Sequence, residues 1–449
     1  MSDLIERALQ TSTDTKAVIA GPDAIGRVAE LFKTTFGERA AVVVGDERTM
    51  QAAGNAVLET LRSGGIEVVD PYVFPGEPEL YAKYENCELL RDVLRDVDAV
   101  PVAAGAGTLN DIVKRAAGEL DRPYMVVCTA ASMDGYTAFG SSIAVDGYKQ
   151  TLDCPAPAAC VADWTVMTAA PAVMTASGYG DLLGKVPAGA DWILADAVGA
   201  ESLDDYVWSL VQGPLRTSLS RPEALAADDS DAIGELAEGL VMSGLAMQAH
   251  ESSRPASGAE HQFAHLWEME GHGTDLKPRR LSHGFKVAVG SVSMAALYER
   301  LFERDLSQLD VDAAVAAYPD AAAMEARSRA AHQPHLADEV VAQTMAKHLR
   351  PEQLRERLEL VKSLWPQLKP RLETQLIPAT ELQRMLRAAG APAHPYDIAL
   401  TWQQFKETYR RAQMIRKRYT VLDLLLELNL LDELVEELFA PGGFWAEQE

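Results

Sequence analysis

The chain reads as an α/β domain over residues 1–163, built on a doubly wound parallel sheet, followed by an all-helical domain over residues 164–449. Three observations predict this. The first third alternates short Val-rich runs with segments whose apolar residues recur every three or four positions. Those runs are almost continuously apolar, as strands covered on both faces must be. Beyond Asp163 the texture turns to Ala, Leu, Met and Glu with helical periodicity.

The elements follow in order. AVIAG (17–21), AAVVVGD (40–46), IEVVDPYVF (66–74), AVPVAAG (99–105) and YMVVCTAA (124–131) are expected strands. TMQAAGNAVLETLRSGG (49–65) and NCELLRDVLRDV (86–97) are expected helices between them. SSIAVDGYKQTLDCPAPAACVAD (141–163) reads as short β or hairpin segments closed by prolines. Helical patterns then cover 191–212, 232–250, 286–304, 337–363 and 371 to the end. Thr380 is an expected N-cap and Gly390 an expected stop for ELQRMLRAAG. Residues 408–439 pass from a basic patch to an acidic amphipathic run, which reads as a packed terminal helix with a solvated charged face.

Composition narrows the class. With 449 residues, 48% of them hydrophobic and 24% charged, the chain can build two or three domains with a sizeable core. A net charge of -25 repels phosphate backbones and argues against nucleic acid as a partner. A local basic pocket can still accept a small phosphorylated molecule. Cys87, Cys128, Cys154 and Cys160 form no CxxC pair or disulfide framework, and Cys128 is an expected buried residue. The N-terminus lacks a signal-peptide core, and no apolar run reaches the ~20 residues that span a bilayer. The expectation is a cytoplasmic protein with no membrane span.

Residues 251–284 hold four of the nine histidines: His261, His265, His272 and His283. His261 and His265, at i and i+4, project from one helix face, as metal-binding imidazoles do and as a solvated or packed face also does. Ala104-Gly105-Ala106-Gly107-Thr108-Leu109-Asn110-Asp111 ends the fourth expected strand. Such a Gly-x-Gly turn lets backbone approach a pyrophosphate at a helix N-terminus, though ordinary βα turns also carry two glycines. Thr129-Ala130-Ala131-Ser132-Met133-Asp134 ends the fifth. Asp134 could orient a polyol hydroxyl or cap a turn. Asp46, ending the second, stands where a carboxylate can accept from an adenosine ribose, which favours NAD over NADP. Asp181 is a candidate carboxylate ligand or a helix N-terminal acid.

GAGTLND, TAASMDGYTA, SGYGDLLGK, SSRPASGAEHQFAH and SHGFKVAVG resemble, in that order, motifs of the sn-glycerol-1-phosphate dehydrogenases, in particular the bacterial AraM-type branch. The wider group is the iron-containing alcohol dehydrogenase and glycerol dehydrogenase superfamily. The resemblance runs through the chain to IRKRYTVLDLL (415–425) and implies a Rossmann-like first domain in a dehydroquinate synthase-like architecture. It implies that Asp181, His261 and His283 hold one divalent metal, zinc or nickel. His265 and Asp181 would be catalytic and face substrate. Gly105, Ala106, Gly107, Thr108 and Leu109 would cradle NAD or NADP, Thr129, Ala130, Ala131 and Ser132 would line it, and Asp134 would touch substrate.

Three positions depart from the family, where Ser, Pro and Ser commonly stand at Ala106, Ala131 and Ala138; the last removes a hydroxyl near the cofactor. Iron-dependent relatives carry a histidine four residues after the aspartate, whereas here Lys185, a poor ligand when cationic, occupies that place. Ser253 and Arg254 are candidates for the phosphate end, with Arg254 as a loop tie the alternative. His272 is an expected solvated loop residue.

The leading expectation is therefore reduction of dihydroxyacetone phosphate to sn-glycerol 1-phosphate by a homodimer or larger homo-oligomer. A glycerol or other polyol dehydrogenase is the enzymatic rival, and a dehydroquinate-synthase-like lyase fits the metal region less well. A non-catalytic nucleotide-binding scaffold is the alternative of another class.

Overall fold

The computed structural model describes residues 3–145, 148–276 and 280–448. Six parallel strands form one sheet: β1 (Ala17–Gly21), β2 (Ala41–Asp46), β3 (Tyr72–Phe74), β4 (Val100–Gly105), β5 (Met125–Cys128) and β8 (Ala159–Asp163), in the order β1-β8-β5-β4-β2-β3. The expected α/β region with a parallel sheet is present, followed by a mainly helical part. Strands β2 and β4 are adjacent, with Val43 opposite Val102. From β2 the chain moves outward to β3, then returns across β2 to β4 and on to β5. The switch point therefore lies between β2 and β4, so the loops after Asp46 and Gly105 flank the crevice where doubly wound sheets bind ligands.

Burial explains the uninterrupted apolar runs. Val43, Val102, Val127 and Val161 share one hydrophobic core with Val28, Phe32, Val57 and Leu61 of the helices Val28–Phe36 and Asn55–Ser63. The expected strand 66–74 shrinks to β3, with Val68 making an isolated bridge to Ala41. Asp70-Pro71 separates the two pieces, and proline cannot donate to a ladder. Residues 141–163 divide. β6 (Ser141–Val145) and β7 (Tyr148–Leu152) form an antiparallel pair, whereas β8 enters the main sheet between β1 and β5.

By compactness the chain forms two interleaved units, one of residues 1–182, 206–256 and 388–391, the other of 183–205, 257–387 and 392–449. The last sheet strand ends at Asp163, where the sequence reading divides the chain, but the first unit continues through helix Ala172–Leu183 and helix Ser230–His250. In the second unit the expected helix 286–304 is His283–Phe302.

Four helical expectations need correction. The 191–212 pattern is two helices, Lys185–Ala197 and Asp205–Ser218, broken near Gly199 at φ 67°. The 337–363 pattern is Ala337–Met345 and Pro351–Gln375, because Pro351 starts a helix more readily than it continues one. Thr380 lies inside helix Ala379–Ala388 rather than capping it, while Gly390 does take the positive φ of a helix stop, 75°. The terminal segment is likewise several short helices, including Trp402–Arg411, Val421–Glu427 and Leu431–Phe439. Among the described residues no helix is long and apolar enough to cross a membrane.

Candidate functional site

In the first unit, β4 runs through Gly105 and Ala106 into helix Gly107–Gly118. Ala106 has no side-chain cap for that helix, so the first-turn N–H groups of a 12-residue helix face outward at the carboxyl edge of the sheet. Both glycines sit in close packing against side chains that a Cβ would displace. A Cβ on Gly105 would lie 2.4 Å from Leu109 Cδ2, and one on Gly107 would lie 2.9 Å from Met133 Cγ. These residues fit a pyrophosphate cradle made by backbone, for which Ala at 106 suffices. Across the switch point, Asp46 Oδ1 accepts from the N–H groups of Arg48 and Thr49, both at 2.8 Å. Its expected ribose contact must share the carboxylate with this cap.

Residues 129–140 form a loop after β5 held from several sides. Tyr136 Oη donates to the Ala130 carbonyl at 2.8 Å, and Ser177 Oγ to that of Ser132 at 3.2 Å. Two helices touch the loop through glycine. A Cβ on Gly178 would lie 2.0 Å from the Ala131 oxygen, and one on Gly244 would lie 2.2 Å from Thr137 Oγ1. Asp134 accepts from Ser243 Oγ at 2.9 Å, and its own N–H donates to Asp181 Oδ2 at 3.2 Å. Ala138, where the family commonly carries a serine, packs in an apolar cluster with Met247 and Ala256.

Asp181 is fully buried near the C-terminal end of helix Ala172–Leu183. The helix N-terminal role is thereby excluded, since a carboxylate at this end opposes the macrodipole. Ser253 is exposed and Arg254 buried, in the turn Arg254–Ala256.

Lys114 is a residue that sequence reading passed over. Its buried ammonium donates to the carbonyls of Gly135 (2.9 Å), Ala138 (2.7 Å) and Gly140 (3.0 Å), and burial lowers its pKa. Lys114→Met would orphan those three acceptors while relieving the buried charge. A net loss of about 3 kcal/mol is expected from the usual cost of unsatisfied buried groups. A denaturant midpoint unchanged from that of the parent would contradict it.

In the second unit, helix Ala259–Met269 carries His261 and His265, and His283 opens helix His283–Phe302 behind the Ser282 cap. The three rings converge, with centroids 6.0 Å apart for His261 and His265, 5.3 Å for His261 and His283, and 5.5 Å for His265 and His283. Each turns Nδ1 to a carboxylate. His261 lies 2.7 Å from Glu260 Oε1, His265 3.2 Å from Glu268 Oε2, and His283 2.9 Å from Glu268 Oε1. Facing an ionised carboxylate, which only accepts, a ring in this orientation carries its proton on Nδ1 and its lone pair on Nε2. This tautomer suits imidazoles that bind a metal.

His265, Glu268 and His283 also offer ligand atoms within 4.8 Å of one another. Burial pushes the His265 pKa down to about 3, aided by the charge of Arg416 and opposed by Glu268, so the ring is neutral at pH 7. Glu260 and Glu268 do not stand out in the sequence, because an acid beside a histidine on a helix is usually an exposed pair, and Arg416 does so only as part of IRKRYTVLDLL. His272 is not the solvated residue expected. Its Nε2 donates to the Ile398 carbonyl at 2.6 Å and fixes the loop after the helix.

The chain is similar to several known proteins. Residues 19–171 match the iron-containing alcohol dehydrogenase family model. A glycerol-1-phosphate dehydrogenase [NAD(P)+] of Halalkalibacterium halodurans is 30% identical over 390 residues, 86% of this chain and 86% of that protein. The Bacillus subtilis protein of the same name is 35% identical over 333 residues, 74% of this chain and 71% of its own length. The match to that of Bacillus velezensis, 35% identical, spans 58% of this chain and 66% of the relative. A probable glycerol dehydrogenase from Sinorhizobium meliloti has the same fold, with a TM-score of 0.60, 15% identity and coverage of 94% and 97%. The five ordered motifs, the glycine-lined turn and these relatives lead to one family: the chain belongs to the NAD(P)-dependent glycerol-1-phosphate dehydrogenases.

Proposed function

We propose that the chain reduces dihydroxyacetone phosphate to sn-glycerol 1-phosphate with NAD(P)H, reversibly, as the names of its relatives suggest. The observation that carries this is the trio of imidazoles with Nδ1 turned to Glu260 and Glu268. A pure nucleotide scaffold has no use for three converging rings whose tautomers are set for binding.

In this proposal Asp181, His261 and His283 hold one divalent ion, zinc or nickel, which when bound supplies Lewis-acid polarisation of a carbonyl oxygen. The first-turn N–H groups after Gly105 and Ala106 hold the pyrophosphate of NAD or NADP, with Thr129 to Ser132 along the cofactor. Gly178 and Gly244 let the loop bearing Asp134 lie close against two helices, so that Asp134 can meet a substrate hydroxyl from a fixed position. His265, neutral with its proton on Nδ1, accepts at Nε2 from the hydroxyl beside the carbonyl. In that tautomer Nε2 receives a proton, so an ordered water delivers one to the product oxygen during reduction. Ser253 and Arg254 are proposed for the phosphate end. The working form is proposed to be a cytoplasmic homo-oligomer, which sedimentation would test.

The deciding assay loads the metal-free protein with zinc or nickel and follows dihydroxyacetone phosphate reduction with NADH and with NADPH, determining product chirality. Turnover to the sn-1 product, with glycerol oxidised at under about 1% of the glycerol 1-phosphate rate, is expected, since a site built for a charged group rejects analogues lacking it strongly. Equal turnover of glycerol and glycerol 1-phosphate would defeat the phosphate-specific reading.

A further inference from the structure

We propose that Glu268 is a positioning residue whose two carboxylate oxygens set the orientation and tautomer of two functional histidines at once. The proposal rests on the reading of His283 as a metal ligand and His265 as the substrate partner. Glu268 lies on the same helix as His265, three residues on, and its side chain is 6% exposed. Its Oε2 accepts from His265 Nδ1 at 3.2 Å, and its Oε1 accepts from His283 Nδ1 at 2.9 Å, across to the first residue of the next long helix. The two rings stack with planes 26° apart, so one carboxylate clamps their edges while their faces pack together. Glu260 Oε1 meets one ring, that of His261 at 2.7 Å, and also accepts from the Gly258 N–H at 2.7 Å. Glu268 differs because it couples two rings with separate tasks.

The coupling follows from donor and acceptor arithmetic. A carboxylate has lone pairs on both oxygens, so both rings must present an N–H to it and keep their lone pairs at Nε2. A ring that moved its proton to Nε2 would turn a lone pair against a lone pair. Glutamine has nearly the same shape but offers one acceptor and one donor. It satisfies one ring and drives the other to the Nε2–H form, in which the nitrogen aimed at metal or substrate can no longer accept. Glu268→Gln should therefore damage the site through proton placement, with little change in packing.

The test uses the full chain. In metal-free protein labelled with 15N-histidine, His265 and His283 are expected as Nδ1–H tautomers, and Glu268→Gln is expected to convert one of them. Zinc affinity, read by chelator competition, should fall about 10–100-fold in Glu268→Gln, the usual effect of removing a partner behind a metal ligand. Glu268→Asp, which keeps the acceptor-only group, should recover both the parent tautomers and part of the affinity. A parent protein with either ring in the Nε2–H form would overturn the proposal, whether or not any variant folds. So would Glu268→Gln with unchanged tautomers and affinity. Loss of zinc in Glu268→Gln and Glu268→Asp alike, even at saturating metal, would also overturn it by making Glu268 a ligand itself. Because the tautomers are read without metal, failure of the parent to reduce dihydroxyacetone phosphate would sink the functional reading and leave this one decided separately.

Discussion

His283→Ala is expected to lose its bound metal and about a thousandfold in kcat/KM for dihydroxyacetone phosphate. The magnitude follows from a Lewis acid contributing several kcal/mol at the transition state, where each 1.36 kcal/mol is about tenfold in rate. His283 opens its helix at the N-terminus with 25% of its side chain exposed, so truncation there removes a ring without excavating a core. Folding should survive, and the loss should be chemical. His261→Ala should match it in metal content, at a larger stability cost because that ring is 5% exposed. His265→Ala should separate the roles by keeping the metal while losing activity. His272→Ala gives up its bond to the Ile398 carbonyl, which is no part of the proposed metal or substrate contacts, and should leave activity within about threefold, at some cost in stability. Metal analysis beside steady-state kinetics decides the matter. Retained metal in His283→Ala, or metal lost from His265→Ala as fully as from His283→Ala, would refute the division of the four histidines.

How far the sequence shows this arrangement depends on whether a residue's task is local. β1, β2, β4 and β5 were readable because a strand buried on both faces must be apolar throughout. β8 was not placed in the main sheet, because Ala-Cys-Val-Ala-Asp after a proline-rich stretch has the same local pattern in a hairpin. Only pairing of Cys160 with Val18 on one side and Val126 on the other makes it central. The glycines after β4 were legible as a turn, whereas Gly178 and Gly244 could be understood only once their helices met the 129–140 loop. For the same reason Asp181 was set at a helix start: glycines at 178 and 180 suggest a break, yet the helix passes through both. Histidine spacing pointed to the cluster, while the carboxylates that orient the rings were hidden. What distinguishes Glu260 and Glu268 from surface acids is burial, and burial belongs to the fold.

A second large effect is expected at a residue given no part in the chemistry. Asp191 is fully buried on helix Lys185–Ala197 and accepts from Ala259 N–H at 2.7 Å, Tyr298 Oη at 2.6 Å and Val421 N–H at 2.9 Å. It thereby ties the start of the helix bearing His261 and His265 to the helix bearing His283. Asp191→Ala would orphan three buried donors and is expected to cost more than about 3 kcal/mol, with loss of zinc affinity following from the loosened helices. The charge itself makes a second prediction. Burial, then the nearby Glu260, raise the Asp191 pKa from 3.8 to about 7, against the pull of its three donors. The Glu260 carboxylate is close: a Cβ on Gly258 would lie 2.6 Å from Asp191 Oδ2 and 2.8 Å from Glu260 Oε2.

Between pH 4 and 7 the folded chain then holds a proton that the unfolded chain has released. Stability from this group is full below about pH 4 and declines as pH rises to about 7, by no more than about 4 kcal/mol at 1.36 kcal/mol per unit. Glu427, likewise raised to about 7 by burial, adds a slope of the same sign. Asp191→Asn, uncharged throughout, should remove the Asp191 share alone and flatten the unfolding free energy measured from pH 5 to 7. If parent and Asp191→Asn showed parallel curves over that range, the carboxylate would be ionised in the folded state throughout. Its three donors, rather than burial, would then set its charge.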